Sequence, residues 1–95
     1  MPKITYPCVR CKYKGDLVFH YAIGGNHTLC YEYLSNAHQM YPLACPEKYD
    51  CEEGFVSDEG GFFDRRIAMQ IALENDQVLP LYTDRLELYS YMLKA

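Results

Sequence analysis

A chain of 95 residues with nine basic and thirteen acidic side chains, a net charge of −4 and 49% apolar residues suffices for one domain (1–95) with a modest core. The negative balance argues against direct DNA or RNA binding, which needs a positive field over the phosphates, and the acids are too dispersed to imitate a nucleic acid. No apolar run reaches membrane length, and Met1-Pro2-Lys3-Ile4-Thr5-Tyr6-Pro7 lacks an apolar core before a small-residue cleavage site, so a cytoplasmic, membrane-free protein is expected. Ten tyrosines without a tryptophan suit stacking pockets and interfaces, although ringing a small core is the simpler use of each one. A core this small also makes a homo-oligomer a reasonable expectation.

Ile4 to Tyr13 is β-branched and aromatic with Pro7 inside it, which predicts an edge strand or a bulged one. Lys14-Gly15-Asp16 turns, and Leu17 to Ile23 is apolar enough for a central strand in which His20 is packed rather than a ligand. Gly24-Gly25-Asn26-His27 then opens a segment with Leu29, Cys30, Tyr33, Leu34, Ala37 and Tyr41 on one face, predicting a helix from near Asn26. A glycine turn feeding a helix start presents amides to anions, but this one is neither a P-loop nor a dinucleotide fingerprint. Asn26 as a plain N-cap with an exposed His27 is the default reading.

Residues 38–53 contain Pro42, Cys45, Pro46 and Cys51 without a period, which predicts a loop. Cys8-Val9-Arg10-Cys11 has the spacing of a zinc half-site, and Cys45 with Cys51 would supply the other half. Strand residues three apart face opposite sides, however, and the second pair is spaced too widely for a knuckle. Zinc on Cys8, Cys11, Cys45 and Cys51 is therefore the minor alternative to no cofactor. A cytoplasmic setting and an odd cysteine count disfavour disulfides, leaving buried or free thiols.

The most self-consistent stretch is Gly54 to Gln77. Phe55-Val56, the turn Ser57-Asp58-Glu59-Gly60-Gly61 and Phe62-Phe63 predict a hairpin, with Asp64 as N-cap of a helix whose apolar stripe is Ile67, Ala68, Ile71 and Ala72. Arg65 and Arg66 oppose the helix dipole in its first turn, so something should compensate them. Pairing with Asp58, Glu59 or Asp64 is the simpler answer, and an anion held jointly with the helix-start amides is the sharper one. After Val78-Leu79-Pro80, Leu86, Tyr89 and Leu93 at helical spacing favour a final helix over a strand. The expected fold is α+β, a small antiparallel sheet of two hairpins packed against two or three helices.

Gly54, Phe55, Gly60, Phe62, Arg65, Ala68, Ile71, Ala72 and Gln77 match the pattern G-F-x-x-x-x-G-x-F-x-x-R-x-x-A-x-x-I-A-x-x-x-x-Q. In this the chain resembles small phage and prophage proteins, which also look similar in a glycine followed closely by a histidine and in a closing Leu81-Tyr82-Thr83 segment. The chain departs from them at Ile67, where a Glu would complete a capping box, and at Asp76, where a glycine would end the helix. The resemblance implies a phage setting, hence a host cytoplasm, and leaves Arg65 and Gln77 as the polar positions to suspect of binding.

No catalytic constellation stands out: Ser57 has no histidine beside it in the cassette, and no metal motif occurs. A phage accessory protein with an anti-defence role that captures a small phosphorylated or nucleotide-type ligand without turnover is the first expectation. Its site would combine Gly25, Asn26 and His27 with Arg65, Arg66 and Gln77, provided the two helix starts meet. A protein inhibitor of a host defence component is the alternative, and a small phosphoester hydrolase using His27 the third.

Overall fold

The computed structural model describes residues 2–94. Strands β1 (Ile4–Tyr13), β2 (His20–Ile23), β3 (Tyr49–Ser57) and β4 (Phe62–Asp64) form one antiparallel sheet in the order β2-β1-β3-β4. Helix α1 (His27–His38) follows β2, and helix α2 (Arg65–Glu74) follows β4. The α+β architecture expected from the sequence is therefore present, as two hairpins joined through the β1–β3 ladder.

Alternation along the strands decides which face the helices cover. Val9, Cys11 and Ala22 meet Cys30 and Leu34 of α1, while Ile4 and Phe55 meet Ala68, Met69 and Ala72 of α2. The chain after α2 adds Val78, Leu88 and Met92 to the second cluster. Fully buried Phe55 anchors it, and burying such a ring contributes about 2–3 kcal/mol. Ala68, Met69 and Ala72 are buried while Ile67 is left 46% exposed, so the predicted stripe is rotated toward Met69.

The hairpin, N-cap and helix of the Gly54–Gln77 stretch follow in the order expected. Gly60 and Gly61 take φ of 87° and 88° in the hairpin turn, and Asp64 Oδ1 accepts from the amides of Arg66 and Ile67 at 3.0 and 2.9 Å. A side chain at Gly54 would collide with the Phe63 carbonyl and the Phe62 ring, so the β3–β4 pairing requires that glycine. Asp76 adopts the left-handed conformation at φ 53° despite its side chain. Gln77 N donates to Ala72 O at 2.8 Å and Asp76 N to Leu73 O at 3.2 Å, a Schellman closure kept without glycine.

Four expectations need correction. β1 is central rather than an edge, although the bulge offered as the alternative is present, since its register with β3 shifts between Ile4 and Tyr6; Pro7 fits because its carbonyl accepts from Gly24 N at 3.2 Å, placing its nitrogen on the side where β2 has already ended. β2 is a short edge strand, and Leu17 and Val18, assigned to a central strand, are exposed. Residues 49–53 belong to β3 instead of a loop: Asp50 and Glu52 alternate onto the uncovered face, where they pair with Lys12 at 3.7 Å and Arg10 at 2.8 Å. The C-terminal segment is neither helix nor regular strand, but two 3-10 turns (Pro80–Tyr82 and Ser90–Met92) and one bridge from Val78 to Leu93.

Candidate functional site

The β1–β3 ladder sets the two hairpins side by side, so the helices that follow them start near the same place. His27 is the first residue of α1 and Arg65 the first of α2. Their side chains meet above β3, with Arg65 Nη2 3.4 Å from His27 Nδ1. His27 Nε2–H donates to the Gly54 carbonyl at 2.9 Å, which leaves Nδ1 as an acceptor and makes the ring neutral. Its edge rests against Phe55, with ring centroids 5.3 Å apart.

Three further groups complete the cluster. Glu53, from the part of β3 that reads as loop in sequence, takes Arg65 on one oxygen at 2.5 Å and the Tyr31 hydroxyl on the other at 2.7 Å. Arg65 Nη1 donates to the Leu88 carbonyl at 2.7 Å, and Leu88 N donates back to the Arg65 carbonyl at 2.9 Å. The Arg65 guanidinium lies 4.1 Å over the ring of Tyr89. The discordant arginine is thus compensated by Glu53, and not by Asp58, Glu59 or Asp64.

The titration shifts follow from these contacts. Burial, aided by the Arg65 charge against the Gly54 hydrogen bond, holds the His27 imidazole below its ordinary 6.5. Burial raises Glu53, but hydrogen bonds from Tyr31 and Arg65 together with the Arg65 charge outweigh it and keep the carboxyl below 4.5. Burial, and then the bond to Glu53, pushes the Tyr31 phenol above its ordinary 10. The cluster is therefore an ion pair with a neutral imidazole at neutral pH, and both His27 nitrogens are engaged by protein groups.

The other suspected residues divide. Asn26 Oδ1 caps α1 by accepting from Leu29 N at 2.9 Å, and exposed Gly25 only leads into that cap. Gln77 brackets the first strand residue: its Oε1 accepts from Ile4 N at 2.9 Å and its Nε2 donates to Ile4 O at 2.8 Å. Arg66 is exposed and, among the described residues, makes no ion pair; it lines a cavity of about 400 Å³ with Arg85, Tyr89 and Tyr91. Tyr89 and Tyr91 lie nearly parallel there, 5.8 Å apart at 18°. Glu53 is not among the residues expected from sequence, because residues 49–53 read as loop there; the alternation Tyr49, Cys51, Glu53, Phe55 is the signal that finds it. Arg85 and Tyr89 carry no such signal, since the segment holding them has no regular period.

The cysteines are arranged otherwise than expected. Cys11 and Cys51 are directly opposed in β1 and β3, with Cα atoms 4.2 Å apart, and form a disulfide. Cys8, Cys30 and Cys45 are free, and Cys8 lies on the opposite face of β1 from Cys11. The four cysteines of the zinc alternative are therefore not gathered, and no group of three or more His, Cys, Asp or Glu among the described residues is placed to hold a metal ion. No helix among them is long and apolar enough to cross a membrane.

One family model, described as phage T4 y16D protein, matches residues 4–93. No curated protein and no solved structure gives a match.

Proposed function

The chain belongs to the phage T4 y16D protein family, and from that premise we propose an accessory protein that captures a small phosphorylated or nucleotide-type ligand in the host cytoplasm without turnover, as a counter to a defence signal. The observation that carries this reading is the cleft of about 400 Å³ beside the first turn of α2, where Arg66 and Arg85 stand next to two near-parallel tyrosines, with the carboxylates of Asp84 and Glu87 also in the lining. Guanidinium groups match phosphate oxygens in pairs, and an aromatic face accepts any base, each stacked base contributing about 1–3 kcal/mol. Among the described residues Arg85 is held only by Asp84 at 3.7 Å, with side chains 60% and 83% exposed. Such a pair contributes about 0–1 kcal/mol and yields readily to a phosphate. Arg65, behind Tyr89, is committed to Glu53 and fixes the tyrosine rather than the ligand. Among the described residues no imidazole or thiol lines the cleft, and of its two carboxylates Asp84 is paired with Arg85.

The test is calorimetry and thermal melting with mono-, di- and cyclic nucleotides, alongside mass spectrometry of small molecules released from the denatured protein. A ligand at a hundred times its Kd adds about 2.7 kcal/mol to stability. Arg66→Ala and Tyr91→Ala should abolish that gain. The reading fails if no nucleotide raises the melting temperature and nothing is released. A second reading, inhibition of a host defence protein by direct contact, draws on the sheet face away from the helices, where Tyr6, Tyr21 and Ile23 are 57%, 49% and 49% exposed. It requires a stable complex with a host protein that Tyr21→Lys disrupts.

A further inference from the structure

The largest cavity among those described lies elsewhere, between α1 and residues 40–44, with a volume of about 510 Å³. That is within the usual range of small-molecule sites, about 300–1,000 Å³. One wall is the α1 stripe Thr28, Tyr31, Glu32 and Ser35, whose three- and four-residue spacing puts these side chains on one face. The facing wall is Tyr41, Pro42 and Leu43. A polar helix face opposite an apolar loop suits an occupant with one polar end and an apolar body.

The charge of the lining selects the sign of that end. Among the described residues no Lys, Arg or His lines the cleft, and its single acidic side chain is Glu32, whose carboxylate makes no ion pair. The Tyr31 hydroxyl is already committed to Glu53, so that residue offers its ring, as does Tyr41 across the gap. Carboxylate and aromatic faces together attract an ammonium group. We propose that this cleft binds a small organic cation, an ammonium carried on an apolar body.

The cleft is built before any ligand arrives. Met40 N donates to Leu34 O at 3.2 Å, Tyr41 O accepts from Ala44 N and Cys45 N at 3.1 and 3.0 Å, and Tyr41 N donates to the Tyr49 hydroxyl at 3.3 Å. Buried Met40 and Pro42 anchor the loop, so little ordering accompanies binding. The site is separate from the arginine cleft and takes the opposite charge, so either can fail alone.

The experiment titrates the full chain with phenethylammonium, and with phenylacetate as an anion of similar shape, following amide shifts by NMR and heats by calorimetry. The cation should saturate, with contacts on Tyr31, Glu32 and Tyr41, and bind more weakly as salt rises. Glu32→Gln, an exposed substitution of near-equal helix propensity, should weaken it about tenfold at unchanged melting temperature. Tyr41→Ala should weaken it severalfold. Equal binding of phenylacetate, an unchanged affinity in Glu32→Gln, or no shift in cleft resonances up to about 10 mM cation, a Kd too weak to denote a site, overturns the proposal.

Discussion

Replacing Arg65 with alanine tests whether the cluster above β3 is a structural clamp. The change removes a charged hydrogen bond to Leu88 O, the ion pair with Glu53, the contact with His27 Nδ1 and the stacking on Tyr89. A hydrogen bond to a charged group contributes about 1.5–3 kcal/mol, and a cation over an aromatic ring about 0.5–1 kcal/mol. The ion pair lies between the surface and buried limits, because the Arg65 side chain is 15% exposed and that of Glu53 37%. Since these contacts share one guanidinium they do not add in full, and the expected loss is about 3–4 kcal/mol. For a domain of this size that lowers Tm by roughly 12–25 °C.

Urea unfolding of wild type, Arg65→Ala, Glu53→Gln and the double variant gives the coupling directly. It should come to about 1–2 kcal/mol, with the double variant little worse than Arg65→Ala. A loss below about 1 kcal/mol for Arg65→Ala, or purely additive effects with Glu53→Gln, would refute the clamp and return Arg65 to the surface. Nucleotide affinity at the arginine cleft should respond to Arg66→Ala far more than to Arg65→Lys.

Gln77→Ala should cost about 2 kcal/mol, because two hydrogen bonds to Ile4 are lost, and should speed hydrogen exchange at the Ile4 amide selectively; unchanged exchange there would contradict the bracket. Gly54→Ala should disrupt the β3–β4 hairpin at a cost of about 3 kcal/mol, whereas Gly60→Ala meets no atom and suffers only its φ of 87°. Thiol titration of unfolded, unreduced protein should find three thiols and five after reduction, and closing a loop across 40 residues caps the stability lost on reduction at about 4 kcal/mol; five thiols without reductant would exclude the bridge. Acid should destabilise in two windows with the same sign. His27, lowered chiefly by burial, binds its proton more readily in the unfolded chain, so stability falls as pH drops below 6.5; Glu53, lowered by Tyr31 and Arg65 against burial, adds a loss as pH falls below 4.5. His27→Gln should flatten the first window, and an unaltered slope would exclude His27 as its source.

The parts of the fold legible in sequence are those written locally. Hairpin turn, N-cap and helix follow one another without interruption from Gly54, and Asn26 announces α1 in the same way. What escaped depends on partners distant in sequence. Asp50 and Glu52 are poor strand formers in isolation, but opposite Lys12 and Arg10 they make a paired row on the uncovered sheet face. Cys11 and Cys51 meet only because that same register exists, so compartment and parity arguments had nothing to weigh against. The chain after Gln77 has apolar residues at helical spacing, yet Val78, Leu88 and Met92 reach the core from irregular backbone, which periodicity cannot describe.

The meeting of His27 with Arg65 was legible because each follows a strand of a hairpin and the hairpins share a sheet; the consequence of that meeting was not. A cation at a helix start invites an anion, and the sequence offers no way to tell an external anion from an internal one. Glu53 decides the matter, because it lies in the gap between the helices with one oxygen for Arg65 and the other for Tyr31. An external phosphate at that spot would have to displace a half-buried carboxylate already doubly hydrogen-bonded. The neighbouring cleft would ask less of the proposed ligand: among the described residues Arg66 makes no ion pair and Arg85 pairs with exposed Asp84, so a phosphate would have a weak pair to displace there, with Glu87 as the remaining opposing charge. Arg65 thus has its anion within the fold, whereas Arg66 beside it makes no ion pair among the described residues, as the proposed ligand site requires.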